Sequence, residues 1–336
     1  MNYMKIVFFE VEEWEIEYLK KKLEGHSLEF YPGYLEEKDL KNLQDADVVS
    51  IFIYSPLPAE ILQKLPNLKL VVTRSTGFDH IDLVAAAKHN ITVCNVPNYG
   101  ANTVAEHTFA LILALSRKLV PSIERTRRGN FALDGLTGFD LHGKTIGVIG
   151  VGHIGTEVIR MAKGFGMHVV AYSRHPDEAL ARRMRVTFLS LPELLKVADV
   201  VTIHVPYTKK THHTINSKNI KKFKKGSVLI NTARGGLIET AAILYGLDND
   251  ILKGVGLDVL EGECGIKEER QLLAGKFKLE CDLKTQLLNH VLLEKENVLI
   301  TPHNAFNSDE ALHRILDVTA EDILSFEKKK PLNTVS

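Results

Sequence analysis

Cysteine is scarce in this chain. Three of its 336 residues are cysteines, Cys94, Cys264 and Cys281, and none of them form the C-x-x-C spacing of zinc or redox sites. The sequence therefore argues against a disulfide framework, and we expect no metal. Long apolar runs are missing too, and the opening MNYMKIVFFE leads straight into a strand-like run rather than a signal peptide. We expect a cytoplasmic protein that does not enter a membrane.

The chain also lacks an excess of charge of either sign. Lys plus Arg and Asp plus Glu number 42 each, so no overall field favours nucleic acid or an anionic membrane surface. Apolar residues make up 45% and charged residues 25%, the balance of an ordinary globular protein. The length is sufficient for two domains, each with its own core.

Short β-branched apolar runs alternate with amphipathic segments along most of the chain. This alternation predicts an α/β fold with two doubly wound parallel-sheet domains, because parallel strands need helical crossovers. Strands are predicted at 5–10, 27–31, 47–53, 68–73 and 91–95, and then at 145–149, 168–172, 185–188, 200–204, 227–231, 255–259 and 298–301. Between the two sets lies a strongly apolar segment, predicted as one helix over 102–119. A charged insertion over 264–296 interrupts the second set, and an amphipathic helix over 308–327 closes the chain.

A glycine-rich turn stands at the start of the second set. The run Thr145–Ile149 leads into Gly150-x-Gly152-x-x-Gly155, and an amphipathic helix follows. Strand, glycine turn and helix in this order are the context of a dinucleotide-binding fingerprint, in which the helix N-terminus faces a pyrophosphate. The first domain has Phe9-Glu10-Val11 in the equivalent place, so the second domain is the predicted cofactor binder.

Three chemically suited residues follow strands of the second set. Arg234, Glu263 and His303 come just after predicted strands, and ligands of doubly wound sheets bind at the carboxyl ends of strands. An arginine there can hold a carboxylate by two parallel hydrogen bonds, although a surface arginine beside a turn is as good an explanation. A carboxylate bonded to one imidazole nitrogen leaves the other nitrogen to exchange protons with a substrate. Sequence separation alone does not establish that contact.

Taken together, the motifs resemble those of the D-isomer-specific 2-hydroxyacid dehydrogenases, most closely the D-lactate dehydrogenase branch. They occur in the family's order between about residue 70 and residue 306. The matching segments are Ser75-Thr-Gly-Phe-Asp79, Val96-Pro-Asn-Tyr-Gly100, Val104-Ala-Glu-His107, Leu141 to Gly155, His204-Val-Pro206, Asn231-Thr-Ala-Arg-Gly235, Gly256-Leu-Asp-Val259 and Thr301-Pro-His-Asn-Ala-Phe306.

The resemblance implies roles for individual residues. Arg234 would hold the substrate carboxylate, His303 would be the general acid and base, and Glu263 would orient His303. The substrate would also contact Phe52, Thr76, Gly77 and Tyr99. The cofactor NAD(H) would contact Val104, Gly150, Gly152, His153, Ile154, Gly155, Tyr172, Ser173, Arg174, His204, Val205, Pro206, Thr232, Ala233, Arg234, Asp258 and His303.

The same resemblance implies a domain scheme. Residues 1–100 and 305–336 would form a flavodoxin-like substrate-binding domain, and residues 101–304 a Rossmann NAD(P)-binding domain, with a cleft between them. A homodimer is implied as well, with the 102–119 helix in its interface, and no metal takes part.

One segment departs from the pattern of NAD-specific members. Where these usually have an aspartate that binds the ribose diol, this chain has Tyr172-Ser173-Arg174. Loss of the acid removes repulsion against a 2′-phosphate, and Arg174 could pair with one. NAD(H) is favoured from the resemblance, and NADP(H) is an open alternative.

The leading hypothesis is a D-lactate dehydrogenase that reduces pyruvate with NADH. An NADPH-dependent glyoxylate or hydroxypyruvate reductase is the alternative that Ser173-Arg174 favours. A 3-phosphoglycerate dehydrogenase and a formate dehydrogenase fit less well, the first because many carry a regulatory domain and the second because of Glu263. From another class, a dinucleotide-sensing binding protein without catalysis, like the C-terminal binding protein corepressors, stays open until turnover is measured.

Overall fold

The computed structural model describes residues 3–262 and 283–335. It divides into two compact units. Unit 1 holds the chain up to Tyr99 together with the segment from Asn307 onward, and unit 2 holds Gly100–Phe306. Each unit is built on one parallel sheet, which confirms the predicted α/β class.

Unit 1 contains a five-stranded parallel sheet in the order β2-β1-β3-β4-β5. Its short strands are apolar because both faces of the sheet are covered. The strands are β1 Lys5–Phe9, β2 Ser27–Tyr31, β3 Val48–Ile51, β4 Leu70–Thr73 and β5 Thr92–Cys94. The helices that precede residue 100 are α1 Glu13–Lys22, α2 Ala59–Leu62 and α3 Leu83–Lys88, with a 3₁₀ turn at Glu37–Asn42.

Alternate residues of each strand in unit 1 enter different cores. On β1, Val7 and Phe9 belong to the cluster beneath α2 and α3, whereas Ile6 and Phe8 pack with Leu19 and with the C-terminal helix. This is the two-residue period of a strand buried on both faces. The sheet therefore has a core on each side.

Unit 2 contains a seven-stranded parallel sheet in the order β12-β11-β10-β9-β6-β7-β8. The strands are β6 Thr145–Ile149, β7 His168–Tyr172, β8 Thr187–Phe188, β9 Val200–Ile203, β10 Ser227–Asn231, β11 Leu252–Leu257 and β12 Val298–Ile300. The order reverses between β6 and β9, and such a switch point is where doubly wound sheets bind their ligands.

Helices cover both faces of this second sheet. α4 and α6 pack on one face, and α8 and α9 pack on the other. The helices of unit 2 are α4 Ala101–Ser116, α5 Leu119–Arg127, α6 His153–Gly164, α7 Glu178–Met184, α8 Leu191–Val197, α9 Thr240–Asp248 and α10 Leu283–Leu293, and α11 Asp309–Glu327 belongs to unit 1. No helix of the described ranges has the length and apolar character needed to cross a bilayer.

The predicted helix over 102–119 is wrong in its extent. α4 ends at Ser116, Lys118 adopts a left-handed φ of +53°, and α5 begins at Leu119. Pro121 lies in the first turn of α5, where the missing N–H has no helical acceptor to lose. A short 3₁₀ turn covers Ile220–Lys222 between β9 and β10.

A buried carboxyl holds the C-terminal segment of unit 1 in place. Asp322 on α11 is fully buried, and its Oδ1 accepts a hydrogen bond of 2.9 Å from Asn333 Nδ2. Asn333 in turn lies beside the end of β5, where Cys94 forms an antiparallel bridge with Thr334. Burial raises the pKa of Asp322 to about 7. The folded chain therefore favours the neutral carboxyl.

The stability of unit 1 is predicted to fall with pH in a defined window. The folded chain binds a proton at Asp322 up to about pH 7, whereas an unfolded aspartate releases it near 3.8. Across that window the free energy of unfolding should decrease by at most about 1.4 kcal/mol per pH unit from this group. Denaturant titrations of Asp322→Asn between these pH values should give a flatter profile. The exposed control Asp250→Asn should keep the wild-type profile, and equal slopes in wild type and Asp322→Asn would contradict the assignment.

Candidate active site

The glycine turn after β6 has the geometry that a bound pyrophosphate needs. Gly150 has a φ of +96°, and a Cβ on it would lie 2.7 Å from the carbonyl oxygen of His204. A Cβ on Gly155 would lie 2.1 Å from the Gly150 carbonyl oxygen, so α6 can approach this turn only with glycine there. Gly152, by contrast, has no atom within 4 Å of a built Cβ and caps the N-terminus of α6. The turn therefore leaves open space in front of the helix N-terminus.

A pocket of about 420 Å³ lies beside this turn, at the switch point of the sheet. Its wall combines the glycine turn, the end of β7 and the segment after β9. The lining residues predicted from the sequence are Gly150, Gly152, Tyr172, Ser173, Arg174, His204, Val205 and Pro206. The structure thus brings together the predicted residues of three separate segments.

Part of the pocket wall was missed by sequence reasoning. Lys210 to Thr214 line it, and the sequence analysis assigned none of them a role. The rings of His212 and His213 stack with centroids 3.7 Å apart, and His212 Nδ1 lies 3.1 Å from Tyr207 Oη. The signal that could have identified these lining residues is the continuation of the His204-Val-Pro motif into a polar loop.

The pocket is basic where it meets the end of β7. Ser173, Arg174 and His175 lie there, Lys210 lines the pocket from the segment after β9, and none of the described lining residues is acidic. Ser173 Oγ bonds the backbone of His175 through its carbonyl, at 3.1 Å. This end of the pocket therefore offers positive charge and hydroxyl groups instead of a carboxylate.

His204 lies at the end of β9 with its imidazole buried. Burial lowers the pKa of His204 to about 3, so the ring is neutral at physiological pH. Its Nε2 lies 2.8 Å from Thr202 Oγ1, while its Nδ1 has no hydrogen-bond partner among the described residues. Such an orphaned buried nitrogen in a pocket wall suits a polar ligand atom.

Asp258, just past β11, joins the ends of neighbouring strands. Its carboxylate accepts hydrogen bonds from Asn304 N at 3.0 Å, from Ala305 N at 2.9 Å, and from Thr301 Oγ1. Its own backbone N–H donates to the Asn231 carbonyl at the end of β10, at 2.9 Å. Asp258 is 1% exposed, so these contacts replace water entirely. Its predicted contact with a dinucleotide stays a prediction.

Arg234 lies on the turn that follows β10. Asn231 Nδ2 donates to the Arg234 carbonyl at 2.9 Å, and Arg234 itself is half-buried. A Cβ on the next residue, Gly235, would lie 1.9 Å from the carbonyl oxygen of Leu260. The backbone that carries Arg234 therefore touches the segment after β11, which leads to Glu263.

Glu263 itself lies outside the described residues. The carboxylate of Glu261, two residues earlier, joins the start of α9 to the loop that carries His213. It accepts from Thr240 N at 2.9 Å and from Thr240 Oγ1 at 2.8 Å, and it is paired with His213 Nε2. No motif in the sequence indicates this pair.

His303 lies on the loop after β12 that Asp258 holds. It has a left-handed φ of +54°, uncommon for a residue other than glycine, and its N–H donates to the Thr301 carbonyl at 2.9 Å. His107 on α4 supports the same loop, with Nε2 3.0 Å from Thr301 Oγ1. Backbone strain of this kind persists where the surroundings over-determine it, which is common at functional sites.

The predicted cofactor contacts outside the pocket lining also lie in unit 2. Val104 and Thr232 are linked through Thr108, whose Oγ1 donates to the Val104 carbonyl at 2.8 Å and lies 3.0 Å from Thr232 Oγ1. Ala233 N donates to Asn231 Oδ1 at 3.1 Å. His153 and Ile154 form the first turn of α6.

The predicted substrate contacts lie in unit 1, at or near the ends of strands. Phe52 follows β3, and Thr76 and Gly77 lie in a braced turn after β4. Thr76 Oγ1 donates to the Val96 carbonyl at 2.9 Å, and Ser75 Oγ donates to the Gly77 carbonyl at 2.6 Å. Tyr99 is held by Arg314 Nε, which donates to its carbonyl at 2.6 Å.

Comparison with known proteins decides the family. Residues 109–305 match the model of the D-isomer specific 2-hydroxyacid dehydrogenase, NAD binding domain. The chain belongs to this family. Dehydrogenases of the family are NAD-dependent oxidoreductases that act on CH–OH groups. The predicted family, enzyme class and NAD-binding Rossmann domain are therefore confirmed.

Named relatives of this dehydrogenase match it over nearly its whole length. The D-lactate dehydrogenase of Escherichia coli is 34% identical over 329 residues, 97% of each chain. The glycerate dehydrogenase of Methylorubrum extorquens is 32% identical over 337 residues, 98% of each chain. The solved structure of the D-lactate dehydrogenase from Aquifex aeolicus, complexed with NAD and lactic acid, gives a TM-score of 0.85 at 37% identity and covers 97% of this chain and 96% of that one.

The pocket of this dehydrogenase fits a dinucleotide. The open space at Gly152, the N-terminus of α6 and the orphaned His204 Nδ1 are independent features of the same wall. Gly150, Gly152, His153, Ile154 and Gly155 would hold the pyrophosphate, because backbone N–H groups at a helix N-terminus favour anions.

Two glycine substitutions should separate cofactor binding from folding. Gly152→Ala adds a methyl group to open space, so the melting temperature should change little while the Kd for NADH rises by about tenfold or more, because the methyl obstructs the pyrophosphate. Gly155→Ala places its Cβ against the Gly150 carbonyl and should lower the melting temperature clearly. Differential scanning calorimetry and fluorescence titration with NADH give the two readouts. Unchanged NADH affinity in Gly152→Ala would contradict this location of the pyrophosphate.

Proposed function

We propose that this dehydrogenase reduces pyruvate to D-lactate with NADH. One observation supports the proposal above the others: Asp258 links the ends of β10 and β11 to the loop after β12, and these are the strands that precede Arg234, Glu263 and His303. The full-length similarity to D-lactate dehydrogenases supports the same substrate class.

In the proposed reaction, Arg234 binds the carboxylate of the 2-keto acid. A planar guanidinium can form two parallel hydrogen bonds with a carboxylate, which fixes the orientation of the adjacent carbonyl group. The charge of Arg234 also polarises that carbonyl. Substrate held this way loses its freedom to rotate before the chemical step, which lowers the entropic part of the barrier.

His303 supplies the proton in the proposed reaction. The imidazolium donates a proton to the carbonyl oxygen as C2 is reduced, and the same imidazole removes it from the hydroxyl in the reverse direction. Glu263 would hold the other ring nitrogen. When bound, the dinucleotide supplies the hydride for C2, and the reaction needs no metal ion. Phe52, Thr76, Gly77 and Tyr99 of unit 1 are the proposed contacts for the rest of the substrate.

A second candidate function is supported by the basic end of the pocket. Ser173, Arg174, His175 and Lys210 suit a 2′-phosphate, and one relative is a glycerate dehydrogenase. An NADPH-dependent glyoxylate or hydroxypyruvate reductase would use the same Arg234 and His303. The two candidates differ in the cofactor and in the side chain of the substrate.

Initial rates distinguish these candidates. Pyruvate, phenylpyruvate, glyoxylate and hydroxypyruvate are each tested with NADH and with NADPH. Because the family binds NAD and the relatives include D-lactate dehydrogenases, pyruvate with NADH should give the highest kcat/KM. A preference for glyoxylate or hydroxypyruvate with NADPH would overturn the proposal in favour of the reductase, and absence of all turnover would favour a binding protein.

Variants at the end of β7 provide the controls for that assay. Ser173→Asp restores a carboxylate for the ribose diol and should raise the ratio of NADH to NADPH efficiency by at least about tenfold. Arg174→Gln should raise the KM for NADPH without changing that for NADH. Arg183→Gln, an exposed arginine of α7 outside the pocket lining, should change neither.

We also propose that two copies of the chain associate through α5 and the residues that follow it. Large apolar side chains are exposed there, with Leu119 at 44%, Ile123 at 49%, Phe131 at 75% and Leu133 at 80%. Arg125 Nη1 donates to the Ala132 and Asp134 carbonyls, which ties this loop to α5. An apolar group of this extent is typical of a protein interface.

Light scattering tests the homodimer. The wild type should have twice the mass of one chain, and Leu133→Asp should shift it towards the mass of one chain, since a buried charge at the interface is unfavourable. Val84→Asp, which is equally exposed at 82% but lies on α3, should leave the mass unchanged. A single-chain mass for the wild type would contradict the dimer.

A further inference from the structure

Glu10 occupies an unusual position at the end of β1. Its φ is +56°, a left-handed conformation that residues other than glycine seldom adopt. Its carboxylate accepts three hydrogen bonds from the turn after β3: from Phe52 N at 2.8 Å, from Tyr54 N at 2.8 Å and from Ser55 Oγ at 2.6 Å. A single carboxylate therefore fixes the backbone of this whole turn.

A buried arginine holds Glu10 in this conformation. Arg74 is 2% exposed, and its Nη2 donates to the Phe9 carbonyl at 2.7 Å and to the Glu10 carbonyl at 2.6 Å. Its Nη1 donates to Ser50 Oγ on β3 at 3.3 Å. These bonds explain how the left-handed residue persists, because Arg74 bonds the carbonyls of the two peptide groups that flank the Glu10 Cα.

In this network one buried guanidinium lies near two carboxylates. Burial lowers the pKa of Arg74, while the nearby carboxylates of Glu15 and Glu10 act in the opposite direction. Burial likewise raises the pKa of Glu15, and Arg74 opposes that shift. Hydrogen bonds to three oxygen acceptors and the field of two nearby carboxylates offset the cost of burying the Arg74 guanidinium.

The network connects two segments that carry proposed substrate contacts. Arg74 directly precedes Ser75, Thr76 and Gly77, and its N–H donates to the Ile51 carbonyl at 2.8 Å. The turn that Glu10 holds presents the rings of Phe52 and Tyr54, which meet edge to face with centroids 6.3 Å apart. Both bonds come from backbone N–H groups, so the Glu10 carboxylate fixes the backbone positions from which the two rings extend.

We propose that Glu10 is a positioning residue that sets the side-chain selectivity of this dehydrogenase by fixing the Phe52–Tyr54 turn. The proposal rests on the proposed function, since it takes a 2-keto acid as the substrate. The Phe52 and Tyr54 rings form one wall of the site for the side chain of the 2-keto acid. Selection of that side chain by shape requires that the wall keep its position. Releasing the turn should therefore reduce discrimination between small and bulky 2-keto acids.

The test compares kcat/KM for pyruvate and for phenylpyruvate in the wild type and in Glu10→Gln, Glu10→Ala and Glu10→Gly. Glutamine keeps one acceptor oxygen, whereas alanine and glycine keep none. The ratio of the two efficiencies should change by about tenfold in Glu10→Ala and Glu10→Gly and by less in Glu10→Gln, with the KM for NADH unchanged. Glu13→Gln, an exposed glutamate for which the structure gives no ion pair among the described residues, is the charge-matched control.

Glu10→Gly separates selectivity from backbone strain. Glycine adopts a φ of +56° without cost, so Glu10→Gly should melt at a higher temperature than Glu10→Ala while both lose selectivity alike. Amide hydrogen exchange at Phe52 and Tyr54 should accelerate in Glu10→Ala and Glu10→Gly, accelerate less in Glu10→Gln, and stay at the wild-type rate in Glu13→Gln.

The outcomes are distinguishable. A wild type that reduces no 2-keto acid refutes the proposed function, and this inference with it. A wild type that turns over normally, with the same substrate ratio in every Glu10 variant, refutes only the inference and leaves Glu10 a purely structural residue. Unchanged amide exchange at Phe52 and Tyr54 also refutes it.

Discussion

One carboxylate, that of Asp258, organises the ends of three neighbouring strands of unit 2, β10, β11 and β12. Parallel strands end at the same edge of a sheet, but nothing in the ladder of backbone hydrogen bonds fixes the loops beyond that edge. Asp258 does so by accepting bonds from Thr301, Asn304 and Ala305 while its own N–H reaches the end of β10. Arg234 and His303 are thereby attached to one buried anchor.

Unit 1 uses the same physical device at its own strand ends. There a buried guanidinium, Arg74, and the carboxylate of Glu10 fix the turns after β1 and β3. In both units the buried charge has its partners in the backbone N–H and C=O groups of loops, which would otherwise lack acceptors or donors away from water. Loops held in this way can keep substrate-binding groups in place before substrate arrives.

The sequence allowed the sheets and the candidate site to be predicted, because apolar runs and strand ends are local features. β6, the glycine turn and the segment with Arg234 follow from residues within a few positions of one another. Asp258 and Glu10 fix loops through hydrogen bonds to residues more than 40 positions away along the chain, Asn304 and Phe52 respectively. No local sequence pattern reveals such bonds. The break between α4 and α5 was missed because it lies at Lys118, whose left-handed backbone no local pattern indicates, whereas Pro121 is tolerated in the first turn of α5.

The central claim is that this dehydrogenase transfers a hydride to C2 of a 2-keto acid and makes the D-hydroxy acid. The most direct measurement follows a deuterium label from NADH, deuterated at the transferable C4 position, into lactate formed from pyruvate. Chiral chromatography with mass spectrometry identifies both the enantiomer and the label. The account predicts D-lactate with one deuterium at C2, and L-lactate, a racemate or unlabelled product would contradict it.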